Sequence, residues 1–224
     1  MKTELINTLA AEFEAANFFD KIPAQIDGYT WKKILADDGD KFNYFTYENI
    51  SAHRSLTAYF HEETKEYKVR VKLGLTEFCL TNFFTSNFEH FTKTLTAELP
   101  DTIKNISAQI YADSDILIAD KKFSTWNYGQ NLPQNLEGFE LFIAPKFPVR
   151  ITNGSYIIIN YSDFENNLDF NIFYNVYSDN FSGASQIGGV HHPSYIFDAT
   201  NLTELENILA ENLSNELCRI KNNS

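Results

Sequence analysis

The adjacent His191 and His192 are the side chains best suited to acid–base chemistry near neutral pH. One imidazole could act as a general base, and the carboxylate of Asp179 or Asp198 could fix its tautomer. Neighbouring residues in an extended segment point to opposite faces, so at most one histidine would face a given site. These four residues define one hypothesis, a hydrolase-type enzyme.

The two histidines fall in residues 178–194, which hold three of the nine glycines and two of the five histidines of the chain. Glycine gives the backbone access to conformations that other residues avoid. We therefore predict a loop here, either an ordinary surface loop or the cover of an active site.

Other catalytic motifs in the sequence are incomplete. His61-Glu62-Glu63 lacks the His-Glu-x-x-His spacing, and His53 and His90 are isolated, so we predict no metal site. The segment from Gly183 to Gly188 misses the Gly-x-Ser-x-Gly nucleophile motif by one residue. The sequence has no glycine-rich phosphate-binding motif, and we predict no cofactor.

Composition excludes several classes of partner. The 224-residue chain is 43% hydrophobic and 15% aromatic, which predicts a large core, and its formal net charge of −12 argues against nucleic acid. It has no apolar stretch of membrane-spanning length and no signal-peptide pattern, so we expect no membrane partner. Cys79 and Cys218 are too few for a disulfide framework, and we expect both to be reduced in a cytoplasmic protein.

One predicted strand carries a strip of positive charge. Residues 67–73 alternate strictly, which places Lys68, Arg70 and Lys72 on one face and apolar side chains on the other. This cationic strip could bind an acidic partner. The alternative is a solvated strand face that pairs with nearby glutamates.

Aromatic side chains crowd the second half of the chain. The strand that begins at Tyr156 is apolar on both faces, and Phe173 lies on the polar face of the next strand. Such a strand is either covered by the protein's own helices or presents an apolar patch to a partner. We assign Tyr156 and Phe173 to a partner-binding surface, and a symmetric homodimer through this surface is a further alternative.

Hydrophobic periodicity predicts an α+β fold of antiparallel meander sheets with helices packed on one face. An amphipathic helix covers residues 3–20, and a second helix begins near Ser86 or Asn87, with a kink or break at Pro100. Short strand patterns occupy the residues between them. Their predicted ranges in the first half are residues 31–35, 42–48, 55–61, 67–75 and 75–80.

The second half shows a similar order of elements. Strands are predicted at residues 139–144, 149–152, 156–161, 168–176 and 195–199, followed by a helix over 201–220. We predict an N-terminal lobe of residues 1–122, a connecting segment of 123–138 and a C-terminal lobe of 139–224 that form one compact unit. Residues 106–119 fit either a helix extension or a hairpin.

This common order predicts an internal repeat. The two long helices align at an offset of 114 residues, which also pairs Asn87 with Asn201, whereas the hairpins at residues 67–75 and 168–176 align at 101. The difference implies an insertion of about 13 residues in 178–194. Amphipathic elements of any origin also align by their core positions, so chance similarity remains the alternative.

The sequence thus predicts an acidic protein-binding module, such as an adaptor, a chaperone-like protein or an inhibitor, whose partner is another protein. The hydrolase with its site under residues 178–194 is the alternative. The two differ in what they require: an enzyme needs a pocket with convergent polar groups, and a binding module needs an exposed apolar or charged patch.

Overall fold

The computed structural model describes residues 1–107, 112–151 and 154–223, except for the side chain of Phe19. The chain forms two units, Met1–Ala108 and Gln109–Ser224. Each unit contains an antiparallel meander sheet followed by a long helix, which confirms the predicted α+β class. No helix among the described residues is long and apolar enough to cross a membrane.

The first unit has a six-stranded sheet in which neighbouring strands follow chain order. Helix α1 precedes the sheet and α2 follows it. The elements are α1 (Thr3–Ala15), β1 (Gln25–Ile26), β2 (Tyr29–Asp38), β3 (Lys41–Asn49), β4 (Arg54–His61), β5 (Glu66–Leu73), β6 (Thr76–Thr85) and α2 (Phe88–Ser107).

Residues 88–107 form helix α2 because their apolar side chains recur at helical spacing and Asn87 caps the N-terminus. Residues at helical intervals, from Phe91 to Ile106, are buried against the unit's core. The side chain of Asn87 accepts a hydrogen bond from the backbone N–H of His90 (2.8 Å), so Asn87 rather than Ser86 is the cap. The helix continues through Pro100 without the predicted break.

The second unit has a seven-stranded sheet of order β13-β12-β11-β10-β8-β7, with β9 paired beside β10. Helix α4 packs on this sheet through the apolar residues Leu205, Leu209, Leu213, Leu217 and Ile220. The elements are α3 (Asn127–Gln130), β7 (Asn135–Leu136), β8 (Phe139–Ile143), β9 (Val149–Arg150), β10 (Ser155–Asp163), β11 (Leu168–Asn175), β12 (Asn180–Ile187), β13 (Val190–Ala199) and α4 (Leu202–Asn222).

The structure corrects two of the predicted segments. Residues 123–138 are not a connection between lobes, because Phe123, Trp126 and Leu132 lie in the core of the second unit. Residues 178–194 are not a loop: they contain all of β12, a tight turn at Gly188 and Gly189, and the first half of β13. The sequence indicated a turn here because β12 contains the small residues Gly183, Ala184 and Ser185.

Two further predictions fall partly outside the described residues. The alternatives for residues 106–119 include 109–111, and the predicted strand of residues 149–152 includes Thr152, none of which the structure describes. Residues 112–114 and 119–121 form short 3₁₀ turns.

A constant offset of 114 residues relates the two units from β3 to α2 and from β10 to α4. At this offset β5 corresponds to β12, whereas the predicted hairpin offset of 101 paired β5 with β11. That offset, and the insertion inferred from it, were therefore wrong. Irregular features repeat as well. The residue skipped in strand pairing is Tyr44 in β3 and Ile158 in β10, and left-handed residues recur as His53 and Asn167.

A related offset of 110 residues links the start of each sheet. Asp27-Gly28 and Glu137-Gly138 form the same two-residue turn, in which both residues have positive φ. A tyrosine of the equivalent strands β3 and β10 binds the proline before this turn in each unit: the hydroxyls of Tyr47 and Tyr161 donate to the carbonyls of Pro23 and Pro133, respectively. Shared irregularities of this kind exceed what periodicity alone imposes.

Gly183 in β12 provides a test of how β13 is anchored. A Cβ atom at Gly183 would lie 2.7 Å from Cβ of Phe197, whose ring packs 4.7 Å from that of Phe170. We expect Gly183→Ala to lower the free energy of unfolding by about 1–3 kcal/mol, because the backbone must move to relieve this contact. Denaturant unfolding measures the effect. The exposed neighbour Ser182→Ala is the control, and equal stability of both variants would contradict this packing.

Candidate functional site

The predicted cationic strip is largely neutralised by local contacts. The ammonium of Lys68 lies 3.0 Å from the carboxylate of Glu66 and 4.7 Å from the ring centroid of Phe84. Arg70 donates to the side chain of Asn43 (3.3 Å) and lies 3.5 Å from the carboxylate of Glu77. Of the three predicted cations only Lys72 is exposed, so the strip is not a continuous positive surface.

The two aromatic residues assigned to partner binding have different environments. Tyr156 is a core residue: its ring is buried, and its hydroxyl donates to the carboxylate of Asp115 (2.7 Å). Burial, together with this carboxylate, raises the pKa of Tyr156. Its assignment to a binding surface was therefore wrong, whereas Phe173 is partly exposed and lines a surface pocket.

The residues of the enzyme hypothesis do not converge. His191 lies opposite Gln186 and His192 opposite Ser185, near the Gly188-Gly189 turn, whereas Phe181 lies opposite Ala199 at the other end of β12. Residues 195–198 lie opposite Ser182, which is three residues from Ser185, so about 10 Å of strand separates His192 from Asp198. Asp179 precedes β12 and is farther away still.

Asp179 instead has a structural role. Its carboxylate accepts hydrogen bonds from Nζ of Lys121 (2.7 Å) and from the hydroxyl of Tyr174 (2.8 Å). The Lys121 ammonium, followed by the Tyr174 hydroxyl, lowers the pKa of Asp179. These bonds attach a 3₁₀ turn to the β11–β12 hairpin, and they use the carboxylate that was expected to orient a histidine.

The outstanding surface feature of the second unit is its edge strand β13. Val190, Tyr195 and Ile196 are 57%, 78% and 53% exposed, although all three are large apolar side chains. Residues 190–197 contain no Asp, Glu, Lys or Arg. Edge strands usually carry charges that prevent pairing with other chains, so this edge, defined by Val190, Tyr195 and Ile196 and called here the apolar edge, is unusual.

The first unit offers an internal comparison. The strand equivalent to β13 is β6, which is the long edge strand of the first sheet. At the offset of 114 residues, the positions of the apolar edge are occupied by Thr76, Thr81 and Asn82, which are all polar. The repeated backbone therefore does not require apolar side chains at these positions.

A bulge makes Tyr195 and Ile196 protrude. In the pairing of β12 with β13, Phe181 faces Ala199 and Gly183 faces Ser194, so residues 195–198 stand opposite the single residue Ser182. A bulge bends the strand and turns side chains away from the regular alternation. Phe197 points inward and is fully buried, which fixes the bulge against the core.

A pocket of about 540 Å³ lies beside the bulge, at the end of the sheet where α4 begins. Phe173, Phe181 and Tyr195 supply aromatic surface, and Asp198 and Glu204 supply carboxylates. The carboxylate of Glu204 accepts hydrogen bonds from the backbone N–H (2.8 Å) and hydroxyl (2.9 Å) of Thr200, which lower its pKa. The pocket is thus partly aromatic and bears negative charge near neutral pH.

Helix α4 contacts β13 through the carboxylate of Glu216. Arg219 makes two hydrogen bonds to the carboxylate of Glu216, both 2.8 Å long. Arg219, and to a smaller extent the Ser194 hydroxyl on β13, lower the pKa of Glu216, and these contacts outweigh the opposing effect of burial. This carboxylate therefore links the helix to the strand next to the bulge.

Comparisons of the chain with protein-family models, with curated proteins and with solved structures find no match. Phe173 and Asp198 are among the residues predicted from the sequence, whereas Val190, Tyr195 and Ile196 are not. The contrast with Thr76, Thr81 and Asn82 was present in the sequence, and the correct offset would have revealed it.

The ion pair between Glu216 and Arg219 predicts a pH effect. Because the folded pKa of Glu216 lies below its ordinary value of 4.5, the ionised carboxylate stabilises the folded chain above about pH 4.5, and this contribution is lost as the pH falls through the lower folded pKa. We expect Glu216→Gln to reduce the free energy of unfolding at neutral pH by up to about 1 kcal/mol, since Arg219 is half exposed.

Denaturant unfolding at several pH values on both sides of 4.5 measures this difference between Glu216→Gln and wild type. The difference should shrink on acidification. The exposed Glu211→Gln on the same helix is the control and should stay close to wild type. If the stability difference between Glu216→Gln and wild type did not change with pH, the result would contradict the ion pair between Glu216 and Arg219.

Proposed function

We propose that the protein is a protein-binding module, whose second unit binds an extended apolar segment of a partner protein along the apolar edge of β13. The observation that supports this most strongly is the contrast between the repeats: Val190, Tyr195 and Ile196 are exposed where the first unit has polar residues. Aromatic and apolar side chains free of charge are typical of the centre of protein interfaces.

Side-chain contacts supply most of the affinity in this proposal. Extended peptides often add a strand to an exposed sheet edge. Here Pro193 has no N–H, and residues 195–198 form a bulge, so this edge cannot offer a continuous hydrogen-bond ladder. The partner therefore contacts the apolar edge chiefly through its own apolar side chains.

The adjoining pocket suggests a second property of the partner. Phe173 and Tyr195 offer surfaces on which the aliphatic part of a long side chain can pack, and Asp198 and Glu204 offer negative charge. A lysine or arginine next to the apolar residues of the partner fits this combination. Both cysteines are free, and we place this binding in the cytoplasm, where thiols stay reduced.

A displayed library of random peptides, selected on the full chain, tests the proposal. We expect enriched peptides to combine aromatic or branched aliphatic residues with lysine or arginine. The variant Val190→Thr/Tyr195→Thr/Ile196→Asn carries the residues of the first unit at the equivalent positions. It should bind these peptides at least about tenfold more weakly, because three apolar contacts are lost.

The control variant is Thr81→Ala/Asn82→Ala, which alters the matching edge of the first unit and should bind the peptides like wild type. Equal binding by the β13 variant, or equal loss in the control, would refute the assignment of the surface. Sedimentation of wild type and variant covers the homodimer alternative. A dimer that dissociates in the β13 variant would replace the proposed partner with a second copy of the chain.

A further inference from the structure

A second cluster of chemically active side chains lies in the first unit. Asp40 is in the β2–β3 turn, His61 ends β4 and Glu63 is in the β4–β5 turn. Their ligand atoms, two carboxylate oxygens and one imidazole nitrogen, all lie within 4.8 Å of one another. The backbone bond from the N–H of Glu62 to the carbonyl of Asp40 (2.7 Å) holds the two turns side by side.

The geometry around His61 leaves one nitrogen directed into the cluster. Nε2 lies 2.9 Å from Oδ2 of Asp40, and Nδ1 lies 3.1 Å from the hydroxyl oxygen of Thr64. Because the backbone N–H of Thr64 donates to Nδ1 (3.3 Å), the proton of the neutral ring lies on Nε2 in the metal-free chain and is donated to Oδ2 of Asp40. A metal ion at Nε2 would take the place of this proton, and Nδ1 would then be protonated and donate to the hydroxyl of Thr64. Nζ of Lys41 lies 3.4 Å from Oδ1 of Asp40, so this ion pair leaves the other carboxylate oxygen, Oδ2, available to bind a metal ion.

The equivalent turns of the second unit show that the cluster is not required by the fold. At the offset of 114 residues, Asp40, His61 and Glu63 correspond to Gly154, Asn175 and Tyr177. Asn175 keeps the capping role, since its side chain accepts from the backbone N–H of Ser178 (3.1 Å), just as Nδ1 of His61 accepts from that of Thr64 (3.3 Å). An asparagine therefore suffices to close this turn.

We propose that Asp40, His61 and Glu63 form a binding site for a divalent transition-metal ion of the zinc type. One imidazole and two carboxylates are a ligand set that zinc accepts, with a fourth position left for water. Tetrahedral zinc places its ligand atoms about 3.4 Å apart. The pair Asp40–His61 is already this close, and the exposed Glu63 closes the remaining gap by changing its rotamer.

The test uses the full chain without an affinity tag and with zinc or cobalt(II) as the probe. Calorimetric titration should give one zinc ion per chain, and bound cobalt(II) should show the intense visible absorption of a four-coordinate site. His61→Asn and Glu63→Gln should each weaken zinc binding by at least about tenfold. Zinc should raise the melting temperature of wild type but not that of His61→Asn.

His61→Asn is expected to fold, because Asn175 closes the equivalent turn, and circular dichroism without metal checks this. His90→Gln, on the exposed surface of α2, is the matched control and should bind zinc like wild type. No saturable zinc binding by wild type, or binding that survives in the folded His61→Asn variant, would overturn the proposal. Loss of peptide binding in the β13 variant has no bearing on this result.

Discussion

Each sheet buries one face under the helix that follows its last strand, and this helix–sheet contact constrains the rest of each unit. In the second unit, five apolar residues of α4 pack in the same core as Phe170, Ile172 and Tyr174 of β11. The contact fixes which residues of each strand face inward, because a slip of one residue would exchange the faces. Strand β13 is an edge strand of this sheet. Helix α4 covers one face of β13, and no described strand pairs with the outer side of β13.

Comparison of the two units distinguishes the features that the helix–sheet contact requires from those that can vary. Features found in both units, such as the bulge beside Phe83 or Phe197 and the positive φ at Gly74 and Gly188, belong to the scaffold. Features found in one unit are free to carry specific functions. The apolar edge of the second unit and the Asp40, His61 and Glu63 cluster of the first are of this kind. The two units thus share a backbone plan but offer different surface chemistry.

Most strands and helices could be predicted from the sequence, because apolar side chains that face the core recur with periods of two and 3.6 residues. Strand β12 was missed because Gly183 and its small neighbours look like a turn, although glycine is needed there to admit Phe197. The same alternation made β5 align with β11 instead of β12, since the apolar positions of any two alternating strands agree at every second offset. Tyr156 was misassigned because its partner Asp115 is distant in sequence, and the exposure of Tyr195 depends on β13 being an edge, which local sequence does not encode.

The central claim is that the apolar edge of β13 is the surface that contacts a partner. Amide hydrogen exchange of the full chain, free and saturated with a selected peptide, tests this most directly. The account predicts slower exchange in β13 and at the start of α4 on binding, with little change in the equivalent strand β6. Protection confined to β6, to the strip of Lys68, Arg70 and Lys72, or to any surface that excludes residues 190–198 would contradict it.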